Sequence, residues 1–474
     1  MLCYNLLTME DIPVAVPKAS PDPLPELRTF LRPFSMVFRR DRTMRSIERY
    51  VTGLLTDLER KNCDTIAAAV AGISSERLQY ALTDAAWEAQ ELDERRVRAQ
   101  VKNSPSGGLL ILDDTGQAKK GSKSAGVARQ YSGTLGKVGN CQVVVTGEYA
   151  ADEVSESRPL HWPVTARLYL PRVWTDDRER CREAHIPDSI PFQTKPEIAL
   201  DIVDHALAWD VPFQVVIADA GYGDNPNFLA SLEQRHLSYV CGIEKTFGLR
   251  LPDEVRAAEA APAPAYQGQG QPRKRRPAPL HTAQALTESL PEEAWQTVSW
   301  REGTKDTLSK QFVALRVHRA TGNPTDERPS GSRVSTGPEG WLLIERPIPG
   351  QSGDRKWYYS NLPADTPIAR LVSLVHARWI IEQFYEDAKG DCGLDQYQGR
   401  RWDGLHRHIA LVMLTYSFLA QRRGPDSQNV EGGLSPLKGQ VDFPGRASPG
   451  STLALAESHR LVHRHQPDRV LPTT

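Results

Sequence analysis

The 474-residue chain has only six cysteines, at positions 3, 63, 141, 181, 241 and 392, and no two of them form a CxxC pair or stand in a His-Cys cluster. This spacing excludes a zinc ribbon or finger and offers no disulfide framework, so a reducing compartment is expected. No apolar run approaches the roughly 18 residues of a membrane span. The N-terminus, MLCYNLLTMEDIPVAVP, has no basic stretch ahead of an apolar one and soon turns acidic and proline-rich. Neither export nor membrane insertion is expected. Neither sign of charge is in excess: 58 Lys and Arg stand against 59 Asp and Glu, a formal net charge of −1. A polyanionic partner would therefore have to meet locally concentrated cations. No internal repeat of solenoid period is present, and the length suits roughly two or three domains.

What the chain does have is acids and bases in particular places. In HARWIIEQFYEDAKGDCG, Arg378 and Lys389 lie four residues before and seven after Glu382. On a helix those offsets leave them about 40° and about 20° from Glu382, on one face. Such a face can grip and activate a phosphate backbone, although ordinary i,i+4 ion pairing gives the same spacing. Two further carboxylates follow apolar runs. LLILDDTGQAKKG carries Leu109–Leu112 into Asp113 and Asp114, and FQVVIADAGYGDN carries Val215, Val216 and Ile217 to Asp219 and a Gly-Tyr-Gly turn. Both read as buried strands that deliver an acid where the sheet stops, which needs a cation or a hydrogen-bond network. Capping of the following turn is the plainer reading of either one alone.

The spacing Arg378-x3-Glu382-x6-Lys389 resembles the Tyr-x2-Arg-x3-Glu-x6-Lys signature of bacterial insertion-sequence DDE transposases, with Val375 at the tyrosine position. RKNCDTIAA, DDTGQAKKG, RQYSGTLGKVGNCQ, ADAGYGDN, WREGTK, WYYSNLP, RWIIEQFYEDAKGDCGLDQYQGR and WDGLHRHIAL resemble, in order, blocks of one such subfamily, across about residues 28 to 420. The resemblance implies an α/β fold: an RNase H-like mixed-sheet core interrupted by a β-rich insertion, with an α-helical N-terminal DNA-binding region. It implies Asp114, Asp219 and Glu382 as catalytic triad and metal ligands, Asp114 being preferred to Asp113 because the family's first Asp directly precedes Thr. Two magnesium ions, with manganese as substitute, are the implied cofactors, and hard carboxylate oxygens suit both. Glu386 is the rival ligand on the glutamate's face. The implied partners are double-stranded DNA, as terminal inverted repeats and target, and a second copy in a synaptic dimer. The implied setting is the nucleoid of a bacterial cytoplasm. The activity implied is metal-dependent cleavage at element ends followed by strand transfer. A transposase-derived DNA-binding regulator without catalysis and an RNase H-like structure-selective nuclease are the alternatives; a carboxylate-pair glycosidase would need no Arg and Lys beside its acid.

The expected organisation is a flexible N-terminus (1–27), a helical DNA-binding domain (28–105), the first part of the core (106–254), a Pro/Ala/basic linker (255–290) and a β-rich insertion (291–364). The catalytic-Glu helix with core completion (365–424) and a loose tail (425–474) follow. In the helical region Arg32, Arg39, Arg40, Arg42, Arg45 and Arg49 recur among apolar residues, as a phosphate-facing edge or a solvated face would have them. TIAAAVAGISSERLQYALTDAAW has the grammar of a helix-turn-helix, with Gly72 at the turn and Ser75, Arg77 and Gln79 as candidate end-recognition residues. An ordinary αα-hairpin has the same grammar. Arg378, Lys389, Lys119, Lys120 and Arg129 are candidate phosphate contacts, the last three in a Gly-rich stretch past Asp114. Trp300 in the insertion is a candidate for stacking on a flipped base, although a core tryptophan is the commoner fate. The first and fourth core strands should lie side by side, and one helix from Thr366 to Lys389 should bring Glu382 to their ends.

Overall fold

Runs of β-branched and aliphatic residues make the strands. In the computed structural model, which describes residues 20, 24–133, 136–152, 159–262, 277–302, 307–320 and 335–422, they join into one twelve-stranded sheet among the described residues. The strands are β1 (Gly108–Ala118), β2 (Ala128–Ser132), β3 (Lys137–Ala150), β4 (His161–Leu168), β5 (Phe213–Ala218) and β6 (Ser238–Ile243). β7 (Gly248–Arg250), β8 (His281–Thr282), β9 (Gln296–Glu302), β10 (Thr307–Ala320), β11 (Thr336–Arg346) and β12 (Lys356–Ser360) complete it. The order is β2-β3-β1-β5-β6-β12-β11-β10-β7-β8, with β4 also on β3 and β9 also on β10. Only β1–β5 and β5–β6 run parallel; the other pairs are antiparallel. The fold is thus mixed α/β with a large, mostly antiparallel sheet and packed helices, as an RNase H-like DDE protein would have it.

β1 is apolar on both faces because both are covered. Leu109 and Ile111 pack into one core, with the helices Trp379–Gly390 and Trp402–Gln421 and the N-terminal helices. Leu110 and Leu112 pack into the other, against Ile198, Ala199, Ile202 and Val203 of the helix Lys195–Ala208. All four are 0% exposed, which at roughly 1.5–3 kcal/mol each makes β1 the spine of both cores. The neighbouring β5 obeys the same rule, with Val215 and Ile217 in the first core and Val216 and Ala218 in the second.

Residues 291–364 contribute β9–β12, and β12 pairs with β6, so these strands extend the core sheet itself. The stretch 255–290 is not a linker throughout. A helix spans Pro252–Ala260, and β8 leads into a second helix, Ala283–Glu288. The basic run 273–276, most of the loose stretch 321–338 and the tail 425–474 lie outside the described residues.

In the N-terminal region the helices Pro25–Leu31, Asp41–Leu55, Cys63–Ala69, Ser75–Thr83 and Ala89–Val101 share their core with the helix Trp402–Gln421. Phe30 meets Phe418 with ring centroids 5.3 Å apart. Arg407 donates to the carbonyls of Leu82, Thr83 and Trp87 at 3.1, 2.9 and 2.7 Å. The helix Trp402–Gln421, the last among the described residues and nearly all of it buried, is the pillar between this layer and the sheet. No helix among the described residues is long and apolar enough to cross a membrane.

Candidate active site

Asp113 and Asp114 are consecutive residues of one strand, so their side chains leave opposite faces of the sheet. Asp113 continues the Leu109, Ile111 side. Its Oδ2 accepts from Arg378 Nη1 at 2.6 Å, and Arg378 Nη2 pairs in turn with Glu382. Asp114 continues the Leu110, Leu112 side. Its Oδ2 accepts from Lys195 Nζ at 2.9 Å, and the Tyr222 hydroxyl points at the same oxygen from 3.5 Å. Arg378 thus links Glu382 to Asp113, whereas Asp114, the acid preferred from the sequence, faces Lys195 on the other side.

Asp219 follows the last residue of β5, whose Ala218 pairs with Leu112, so the parallel register sets Asp219 beside the aspartate pair. As N-cap of the short helix Ala220–Gly223 it accepts from Gly221 N at 2.9 Å. The Gly-Tyr-Gly turn is a packing requirement. A Cβ on Gly223 would stand 2.1 Å from the Gly242 carbonyl oxygen on β6, and one on Gly242 would stand 2.9 Å from Ala220 N.

The helix expected from Thr366 to Lys389 breaks in the middle. Ile368–His376 ends, and Arg378 is the N-cap of Trp379–Gly390. Pro367 starts the first helix, as proline at a helix entry does, and Arg378 still reaches the carboxylate four residues on. The glutamate helix is fastened under the site by Tyr385, whose hydroxyl bonds that of Thr146 on β3; Thr146 also lies 3.4 Å from the Asp113 carbonyl. Val375, at the signature's tyrosine position, is a buried core residue.

Electrostatically the site is an assembly of acids that needs cations. Burial pushes the Asp113 carboxyl up to about 7, with Arg378 opposing and the Asp219 charge adding to the rise. Burial raises Asp219 as well, again against Arg378 and with Asp114 adding to it. The Glu382 side chain is 57% exposed, open to whatever approaches from solvent. Among the described residues no three His, Cys, Asp or Glu side chains are gathered closely enough to hold an ion as they stand. Arg378 occupies the space between Asp113 and Glu382, a monovalent cation where a divalent one fits the donor set: hard oxygens, two of them half or more withdrawn from water.

The other sequence candidates divide. Lys389 lies two turns past Glu382, its ammonium 5.6 Å from the Tyr385 ring centre and its pKa lowered by burial. Lys119 does not stand free in a phosphate-tracking loop. Its ammonium donates to the Tyr397 carbonyl at 2.7 Å, and burial lowers its pKa too. Lys120, Arg129 and Glu386 are exposed. Trp300 is half-buried and stacks on His376 at 3.7 Å, two residues from Arg378, so one of its faces is covered. Between the helices Cys63–Ala69 and Ser75–Thr83, Gly72 takes φ 72° as the turn demands; Ser75 bonds Asp64, Gln79 bonds Ser75 at 3.2 Å, and Arg77 is exposed. Arg32, Arg39, Arg40, Arg42 and Arg45 are exposed and Arg49 is half-buried.

A family described as DDE superfamily endonucleases matches residues 33–307, more than half of the chain. The chain belongs to the DDE superfamily endonucleases. The match takes in Asp113, Asp114 and Asp219 and ends before the helix of Glu382, which this structure nevertheless bonds to Asp113 through Arg378. Over 216 residues the chain is 30% identical to a probable transposase for insertion sequence element IS701 of Microchaete diplosiphon, 44% of this chain and 51% of that protein. The chain therefore spans about half the length of this relative. Sequence reasoning missed Lys195 and Tyr222. QTKPEI does read as a helix start, with Thr194 and Glu197 forming a capping box, but only the topology carries that start back to β1.

Proposed function

We propose that this DDE superfamily endonuclease is a DNA transposase that cleaves the ends of an insertion sequence and transfers the strands to target DNA, using magnesium with manganese as substitute. The observation that carries this reading is the meeting of Asp113 and Glu382 on Arg378 beside Asp219. Asp219 and Glu382 are proposed metal ligands as expected from the sequence, with Asp113 on the matching face taking the place first given to Asp114. Bound there, two divalent ions would lower the pKa of an attacking water or 3′-hydroxyl and stabilise the leaving oxygen. The chain's own part is to position and compensate. Arg378, released from Asp113 and Glu382, is placed to hold a backbone phosphate, and Lys389 follows along the same helix to hold another. Neither can ligate a cation.

DNA is gripped in this reading by the exposed arginines 32, 39, 40, 42 and 45, with Arg77 of the second short helix as the one free end-recognition candidate. A synaptic dimer and action at the nucleoid of a bacterial cytoplasm belong to the same proposal. Its test is cleavage of a labelled duplex bearing the terminal repeats that flank the gene, in magnesium and in manganese. Asp113→Asn, Asp219→Asn and Glu382→Gln should each lower cleavage by orders of magnitude while DNA binding survives, and Glu386→Gln should be mild. A dead Glu386→Gln beside an active Glu382→Gln would reject the assignment of the helix; wild-type protein that binds the repeats but never cuts would favour the regulator.

A further inference from the structure

The middle of β1, where its parallel pairing with β5 ends although the strand runs on to Ala118, and the carboxyl end of β5 bring together Asp113, Asp114 and Asp219 with Glu382, and two cations placed on opposite sides of the sheet. Arg378 bonds the two acids on the glutamate-helix side. Lys195 bonds Asp114 on the other, at 2.9 Å, with side chains 30% and 20% exposed. This second pair is built in. The capping box of Thr194 and Glu197 fixes the first turn of Lys195–Ala208, and Ile198 and Ile202 seat that helix on Leu110 and Leu112. Tyr222, almost fully buried, closes over the same Asp114 oxygen from the segment that follows Asp219. Alternation along β1 turns the two aspartates to opposite faces, but the Asp219 charge is felt from both, so a metal centre there still needs a device that keeps the second acid from competing.

We infer that Lys195 is that device: a positioning residue that engages Asp114 and keeps it out of the metal-ligand set, leaving Asp113 as the β1 carboxylate for the ions. The inference rests on the proposed metal-dependent reading. An unpaired Asp114 would add an uncompensated negative charge beside Asp219, attracting an ion to a position from which neither Asp113 nor Glu382 reaches it. Lys195 acts through Asp114, so its loss should be relieved when Asp114 is neutralised as well.

The experiment is a calorimetric Mn2+ titration of the full chain without DNA, paired with terminal-repeat cleavage, for wild type, Asp113→Asn, Asp114→Asn, Lys195→Gln, Lys195→Arg and the double variant Asp114→Asn/Lys195→Gln. Asp113→Asn should weaken Mn2+ binding roughly tenfold or more, whereas Asp114→Asn should leave the isotherm close to wild type. Lys195→Gln should bind Mn2+ several-fold more tightly or with an added site and cleave poorly. The double variant should return both readouts towards those of Asp114→Asn, a rescue that a merely structural lysine would not give. Lys195→Arg, which keeps the charge, should keep the wild-type isotherm. Loss of Mn2+ binding in Asp114→Asn, or a Lys195→Gln defect that Asp114→Asn does not relieve, overturns the inference alone. A wild-type protein that binds no Mn2+ overturns the metal-dependent reading and this inference with it.

Discussion

At the scale of single residues, the site depends on which way a side chain leaves the backbone. Asp113 and Asp114 are identical in type and adjacent in sequence, yet one meets Arg378 and the other Lys195 because β1 alternates between two filled cores. Glycines are held to the same tolerance. Gly223 lets the turn after Asp219 lie against β6, and a methyl group there would enter the space of the Gly242 carbonyl. Gly223→Ala should therefore cost about 1–3 kcal/mol of stability by overpacking and lower cleavage more than tenfold by moving Asp219. Denaturant unfolding and the cleavage assay measure the two effects; wild-type cleavage in this variant would show that the turn does not position the acid. The acids themselves were legible in the sequence as apolar runs ending in Asp. Which neighbour meets Arg378 was not, since strand phase is set by which core each leucine enters, and those partners lie at least 85 residues away in the helix Lys195–Ala208.

Secondary elements are coupled by a few buried polar contacts, and these carry a pH dependence. His408 on the C-terminal helix lies between the N-terminal layer and the turn after the glutamate helix. The Gly393 carbonyl, 3.0 Å from Nε2, can only accept, so Nε2 carries the proton and Nδ1 accepts from the Tyr50 hydroxyl at 2.8 Å. Burial holds the imidazole down at about 4, against roughly 6.5 in the unfolded chain. As the pH falls below about 6.5 the unfolded state takes up a proton that the native state refuses until about 4. Stability is therefore lost across that window and not further below it, by up to about 3 kcal/mol. His406, held at about 4 by burial, acts in the same direction. Buried carboxyls such as Glu148 and Asp93, raised by burial, act in the opposite one, gaining stability as the pH falls. A comparison of wild type with His408→Gln by denaturant unfolding at pH 7.5 and 4.5 cancels those shared terms. The variant should lose less stability on acidification, and equal losses would contradict the buried neutral imidazole. A His pair at this position reads from sequence as structural, and its contacts agree. The break at Ala377 that puts Arg378 on a helix end could not be read, because nothing in HARWII breaks a helix locally.

For the whole molecule, the N-terminal helices and the C-terminal helix form one packing unit, although more than 300 residues separate them in sequence. Leu27, Phe34, Ile47 and Val51 are buried in a core that Ile409, Val412 and Leu419 complete. Residues 28–105 made alone should not fold cooperatively, because that apolar face would be left open; a monomeric fragment with a sharp unfolding transition would refute this. DNA binding is better tested in the full chain. Replacing Arg39, Arg40, Arg42 and Arg45 together by Gln should weaken binding to the terminal repeats and reduce the slope of log affinity against log salt by up to about 3–4. An unchanged slope would remove these arginines from the interface. The strands that carry the acids could be read from their apolar runs, and the adjacency of β1 and β5 is what the RNase H-like resemblance implies, but the helical layer's dependence on a distant partner could not be read.

The junction of β12 with β6 also determines what can be lost from this chain. β6 stands next but one to β1 in the sheet, and β12 satisfies its outer row of amide and carbonyl groups. A shortened copy lacking β9–β12 would bare that row as a raw edge beside the strand of Asp219 and two from that of Asp113, a template for pairing with any other extended chain. Such a copy would fail first by aggregation, in the test tube and in the cell, before its chemistry could be called on. The strands ahead of Glu382 thus act as a selvedge for the sheet that carries the acids, a role that would persist even in a chain that had lost them.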